Sequence, residues 1–167
     1  INMQSMFQGC SSLYPLIDLS NINTMNVINM NSMFSGCSKL EEIKNIEHFD
    51  TSRVTDMEYM FNGTSSLSSI KLDNLNTNKV TSMEYMFKGC ESLTSIDLSN
   101  CNTENVSSIS RMFERCISLK SLDLSNFNTK KATSISSMFF DCYNLESVNL
   151  KSFNTENVIA MNGLFHD

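Results

Sequence analysis

Apolar residues fall along this chain in two alternating registers. In Ser95-Ile96-Asp97-Leu98-Ser99 polar and apolar residues alternate, the period of a strand with one buried face. The same alternation returns at Ser121 to Ser125 and at Ser69 to Asp73. Upstream of it, Met83, Met86, Phe87 and Cys90 stand at i, i+3, i+4 and i+7, one face of a helix. Thr81 with Glu84, and Thr55 with Glu58, have the spacing of a capping box. Gly9, Gly36, Gly63 and Gly89 stand where a left-handed residue ends a helix. The apolar stretch is only about eight residues long, so a single turn or a 3-10 segment fits it as well as a full helix.

Both registers repeat. The dipeptide Met-Phe occurs at Met6, Met33, Met60, Met86, Met112 and Met138, and Leu164-Phe165 continues it, in steps of 27, 27, 26, 26, 26 and 26. The unit Val80 to Asn105 matches Val106 to Lys131 position by position. The whole chain, 1–167, therefore divides into units 1–26, 27–53, 54–79, 80–105, 106–131 and 132–157 with a partial unit 158–167. A strand and a short helical turn cannot bury their apolar faces alone, but stacked copies can. The expectation is an α/β repeat solenoid of about six and a half coils, each with one parallel strand and one short helical turn, spaced by roughly 4.8 Å. Asn-Phe-Asn-Thr forms the turn between them. The expected core columns are Val27/54/80/106/158, Met30/57/83, Met33/60/86/112/138, Phe34/61/87/113/139, Leu40/67/93/119/145, Ile43/70/96 with Leu122 and Val148, and Leu72/98/124/150. The first two units each hold one extra residue, around Pro15-Leu16 and Asn45-Ile46, expected to bulge outward.

Composition narrows the function classes. Hydrophobic residues make up 41% of the chain, enough for a core, alongside 21 Asn and a single Pro. A net charge of −6 without a Lys/Arg cluster speaks against a nucleic-acid or anionic-membrane surface. No apolar run has the length of a membrane span, so this segment is not expected to insert into one. Ile1 is not an initiator Met and both ends cut through a repeat, so a longer parent chain is expected.

The pattern L-x-x-I-D-L-S, then an F-x-T turn, then V-x-x-M-x-x-M-F-x-G-C, resembles the BspA-like leucine-rich repeat. It is most similar to the subtype seen in mycoplasma lipoproteins and surface proteins of other low-GC bacteria. The resemblance covers Asn2 to Asp167. It implies a leucine-rich-repeat-like fold and a cell-surface or extracellular protein, anchored by other parts of its parent chain. Its array would bind protein or glycan ligands on host or neighbouring cells. Thr64 in the Cys column and Cys101 at the turn Phe depart from the pattern.

Candidate chemistry is sparse. Cys10, Cys37, Cys90, Cys116 and Cys142 share one column, with no C-x-x-C spacing for zinc. Parallel side chains in a column have poor disulfide geometry, so buried packing thiols are expected. His48 and His166 have no Cys, Ser nucleophile motif or second His beside them in the sequence, and are expected at the surface. Asp18, Asp97 and Asp123 share a column with Lys44, Lys71 and Asn149, read as a solvated face rather than an acid pair or cation site. The sequons at Asn62 and Asn105 match chance in so Asn- and Ser-rich a chain. No catalytic residue, metal site or cofactor is expected, and the chain reads as a non-enzyme.

Two surfaces are candidates for binding. The sheet face comprises Ser69, Lys71, Asp73, Ser95, Asp97, Ser99, Ser121, Asp123 and Ser125. It lacks the aromatics and Arg that anchor tight interfaces. The outer edge comprises Glu58, Tyr59, Glu84, Tyr85 and Arg111, with Ile117 and Tyr143 farther along. A structural spacer or self-associating stalk is the alternative function, since open repeat ends can stack end to end.

Overall fold

The structure is a computed structural model that describes every residue except Tyr14, Asp73 and Asp167. Residues 26 or 27 apart lie side by side from one end to the other. Single parallel bridges join Asn2 to Asn29, then Asp56, Ser82, Ser108, Ser134 and Ala160, one per coil. A second ladder holds four short strands: β1 (Leu16–Asp18), β2 (Glu42–Lys44), β3 (Ser121–Asp123) and β4 (Ser147–Asn149). β1 pairs with β2 and β3 with β4, both in parallel, with Ile17 opposite Ile43 and Leu122 opposite Val148.

The expected core columns lie inside. Val27, Val54 and Val80, Met33, Met60 and Met86, and Leu40, Leu67 and Leu93 are buried, with Ile96 and members in the last coils partly covered. Phe7, Phe34, Phe61, Phe87, Phe113, Phe139 and Phe165 form one stack of rings, centroids 5.1 to 6.0 Å apart and planes within 13°. Offset stacking of this kind adds to the stabilisation from burial alone.

Three expectations need correction. The segment carrying Met-Phe is not helical; it is a run of consecutive turns, and the described residues contain no α-helix. Tyr85 (φ 59°) and Gly89 (φ 70°) both take left-handed backbone, which an α-helix cannot accommodate. The reason is hydrogen bonding to the neighbouring coil. Met83, Tyr85, Phe87 and Gly89 donate their N–H groups to the carbonyls of Ser108, Ser110, Met112 and Glu114, while Met86, Lys88 and Cys90 close local turns. Every second amide thus leaves the turn to tie two coils together. The capping boxes do not form either: the hydroxyls of Thr55 and Thr81 donate to the carbonyls of Ile28 and Thr55 in the preceding coil.

A strand in every unit is the second correction. Ser69 to Lys71 and Ser95 to Ser99 run through the same place in the coil but are not strands. Pairing forms where the Asp/Lys column sets Asp18 beside Lys44 or Asp123 beside Asn149. It is missing where Lys44 would meet Lys71 and Asp97 would meet Asp123, and like charges on adjacent strands repel. The Lys71/Asp97 junction is also unpaired, and nothing in its side chains explains that.

The third correction concerns the insertions. Pro15 and Leu16 lie at the surface, but Leu16 is paired in β1 rather than bulging from it, and in the second unit the residue after the insertion packs inward. Asn45 adopts left-handed backbone (φ 63°), a 3-10 turn follows at Ile46–His48, and Ile46 is buried at 2% exposure.

Candidate functional site

Most polar residues of the repeat act within the stack. In the turn, Asn102 Oδ1 accepts the N–H of Glu104 and Asn128 Oδ1 that of Lys130, the side-chain turn that Asn favours. The adjoining Thr reaches the next coil. Thr103 Oγ1 donates to the carbonyl of Asn128 (3.2 Å) and accepts its N–H (2.7 Å). Thr51, Thr77 and Thr129 make the same two-way clamp on Asn76, Asn102 and Asn154. Thr24, facing the inserted second unit, has a buried hydroxyl with no partner.

The thiol column is equally occupied. Cys37, Cys90, Cys116 and Cys142 are buried, and their thiols donate to the carbonyls of Phe7, Phe61, Phe87 and Phe113 one coil back. Thr64 keeps a donor in that column, bonding Phe61 O (2.7 Å). Burial pushes Cys37 up to about 11 and Cys90 and Cys101 to about 12. Cys10, on the first coil, is the exposed member. Thiols this hard to ionise are poor nucleophiles and poor ligands. No group of three or more His, Cys, Asp or Glu side chains converges to hold a metal among the described residues.

On the sheet face, Ser69, Lys71, Ser95, Asp97, Ser99, Ser121, Asp123 and Ser125 are all exposed; Asp73 lies outside the described residues. Of these only Ser121 and Asp123 sit on a strand. The aspartates are engaged: Asp97 Oδ1 accepts the N–H of Ser99 (2.9 Å) and Asp123 Oδ1 that of Ser125 (2.8 Å). Hydrogen bonds from Ser99 and Ser125 hold both carboxyls below the usual range. The D-L-S motif therefore closes a turn at the end of the strand, a role the sequence reading did not assign. Open depressions of about 300 Å³ lie between the unpaired coils, one lined by Lys44, Ser69 and Lys71 and another by Asp97, Asp123 and Asn126.

The outer edge is more strongly assembled. Tyr59 and Tyr85 stack with centroids 4.5 Å apart and planes 8° from parallel. Arg111 lies over the Tyr85 ring at 5.8 Å and Lys88 Nζ at 5.5 Å. Both cations meet Glu114, Lys88 at 2.9 Å and Arg111 at 3.2 Å, with the Glu114 side chain only 8% exposed. Glu58 and Glu84 lie half-buried beside the rings. Burial, then Tyr85 and Glu58, hold the Tyr59 phenol above its ordinary value. Lys88 and Glu114 were missed from sequence because their column looks variable; the signal was opposite charges 26 residues apart. Ile117 is half-buried and Tyr143 62% exposed, and their coils are joined there by Asn144 Nδ2 donating to Ile117 O (2.6 Å). His48 and His166 are exposed, the latter tilted against Phe140.

Comparison with known proteins agrees with this architecture. The family described as "Mycoplasma protein of unknown function, DUF285" matches residues 1–101 and again residues 67–167. The chain belongs to the DUF285 family. Its overlapping matches fit an array in which one unit follows another without a change of type. No curated protein matches the sequence. Among solved structures, the leucine-rich-repeat protein of T. pallidum aligns with a TM-score of 0.57 at 20% identity. That alignment covers 89% of this chain and 61% of the other, so this DUF285 chain spans less than two thirds of that protein. The fold is leucine-rich-repeat-like. No helix among the described residues is long and apolar enough to cross a membrane.

Proposed function

We propose that this chain is a non-catalytic binding module of a cell-surface protein, an extended solenoid that presents its repeat surface to protein or glycan ligands on host or neighbouring cells. One observation carries the reading. Many of the polar groups that repeat from coil to coil are engaged within the stack, whereas on the outer edge residues that change between coils gather into one cluster. Asp closes turns, Thr clamps the next coil, and the Cys thiols donate to Phe carbonyls. What varies at one column, Tyr59, Tyr85 and Arg111, is aromatic and Arg, the residue types that dominate interface energetics. The leucine-rich-repeat-like fold supports a binding role, since stacked repeats offer long surfaces to large partners. The likeness to BspA-like surface repeats favours an extracellular setting, with anchoring by other parts of the parent chain. Nothing in this reading calls on a cofactor or a nucleic acid. The test is capture of immobilised host matrix and serum proteins by the full array. Saturable binding of a defined protein supports the reading, and its absence across the panel counts against it.

A spacer or self-associating stalk is the second reading, favoured by the unbroken stack of seven Phe rings. Light scattering of the parent chain decides it: a mass that stays monomeric at all concentrations removes self-association.

A further inference from the structure

The column of left-handed residues that precedes each Met-Phe reads Ser5, Ser32, Tyr59, Tyr85, Arg111, Ser137. Its three large members are consecutive. One end of the Tyr pair is covered: the Arg111 guanidinium lies over Tyr85 with Lys88 close by, and Glu114 holds both. The other end carries neither a cation nor a third ring among the described residues. The next member of the column is Ser32, whose hydroxyl turns away to Asn31 Oδ1 (2.7 Å), and no cation among the described residues lies over Tyr59. The carboxylates beside this ring are Glu58 and Glu84, and neither forms an ion pair among the described residues. Asp56 in the same coil is engaged by the amides of Asn29 and Asn31.

We propose that the open face of Tyr59, bordered by Glu58 and Glu84, is the docking point for a basic side chain of a partner polypeptide, arginine foremost. The inference rests on the binding-module reading and names the chemistry of its partner. The molecule already shows the complement on the opposite side of the pair, where its own Arg111 sits on Tyr85. A planar guanidinium stacks on an aromatic face and can still hydrogen-bond a carboxylate in its plane. Lysine can satisfy the charge but not the stack. Glu58 and Glu84 supply negative charge next to the ring, and the chain as a whole is acidic at −6. A neutral sugar ring could also cover Tyr59, but it would leave both carboxylates without a counter-charge.

The experiment measures binding of hexa-arginine, hexa-lysine and a neutral chitin oligosaccharide to the full array at low salt by calorimetry. Three site variants and one control variant are compared with the unaltered chain, each checked by circular dichroism. Tyr59→Asn removes the ring and tolerates its left-handed backbone (φ 56°). Glu58→Gln with Glu84→Gln removes the charge and keeps the shape. Ser32→Arg places a guanidinium of the chain's own next to Tyr59, at a backbone angle close to that of Arg111. Hexa-arginine is expected to bind more tightly than hexa-lysine, and each variant to weaken it by about tenfold or more. Glu156→Gln, an exposed carboxylate in a unit remote from Tyr59, should leave binding unaltered. Equal binding of the two peptides, or hexa-arginine binding that survives both Tyr59→Asn and Ser32→Arg, reduces the effect to general charge attraction and overturns the proposal. Tyr59-dependent binding of the oligosaccharide instead of hexa-arginine also overturns it, in favour of a glycan. An array that captures matrix or serum proteins equally with and without Tyr59 keeps the binding function and loses this site.

Discussion

The Thr hydroxyls show how much one side chain contributes to joining two coils. Thr103 both donates to and accepts from the backbone of Asn128. Thr103→Val keeps the shape and leaves that N–H and C=O without their partner, so chemical denaturation should show a loss of about 1–3 kcal/mol. Thr24→Val removes a buried hydroxyl that has no partner, and the same measurement should find it neutral or stabilising. A Thr24→Val loss as large as that of Thr103→Val would mean that Thr24 is bonded after all. The thiols give a second test at this scale. Near pH 8 a thiol-specific disulfide reagent should modify Cys10 alone in the folded protein, and all six cysteines after unfolding. The raised values also set a direction with pH. Below about pH 8.5 the thiols are protonated folded or unfolded, and burial contributes its full stability. As pH rises toward the folded values of about 11 to 12, only the unfolded chain ionises, so stability falls through that window. Measured denaturation midpoints that stay flat from pH 8 to pH 11 would contradict it.

At the scale of the element, apolar spacing identified the buried residues better than it identified the backbone. Met83, Met86, Phe87 and Cys90 do share one buried side, as the helical spacing required. The backbone that puts them there is a series of turns, because alternate amides bond across to the next coil. A single-chain pattern of i, i+3, i+4, i+7 cannot distinguish the two, since cross-coil bonding appears only when the coils are stacked. Glycine was the available clue: Gly63 and Gly89 recur at a fixed place with φ near 70°, but Tyr59 and Tyr85 take the same region without glycine to announce it. Two of the three missing strand pairings set like charges side by side in a way visible in sequence, Lys44/Lys71 and Asp97/Asp123, whereas the Lys71/Asp97 junction does not. Lys71→Thr should relieve the first of these. Hydrogen exchange is then expected to slow at the amides of residues 69–71, and unchanged exchange there would rule out like-charge repulsion as the cause. On the outer edge, the Tyr column was legible from its spacing, but the buried Glu114 that organises it was not.

Across the whole molecule, stability is a sum over coils and the junctions between them. Phe87 touches a ring on either side, 5.5 Å from Phe61 and 5.6 Å from Phe113. Phe87→Ala should cost about 3–5 kcal/mol and interrupt the ring stack at its centre. Calorimetry is expected to show a broader transition than for the unaltered chain as the two halves uncouple; a single sharp transition at the original midpoint would show that the rings do not carry cooperativity. The alternating amides have a further consequence. Within each run of turns that carries the Met-Phe pair, the cross-coil N–H groups point the same way, as in Ser5 to Asn31, Phe7 to Met33, Arg111 to Ser136 and Phe113 to Met138. An ordinary parallel ladder alternates its donors between two neighbours and largely cancels their dipoles. Along this edge they add. This run of turns is therefore electrically polar along the stack, partly positive toward the last coil and partly negative toward the first, opposed in part by single amides such as Thr81 and Ser107 that donate the other way. That is the reverse of an α-helix, whose N-terminus is the positive end, and each coil of the same kind lengthens the dipole.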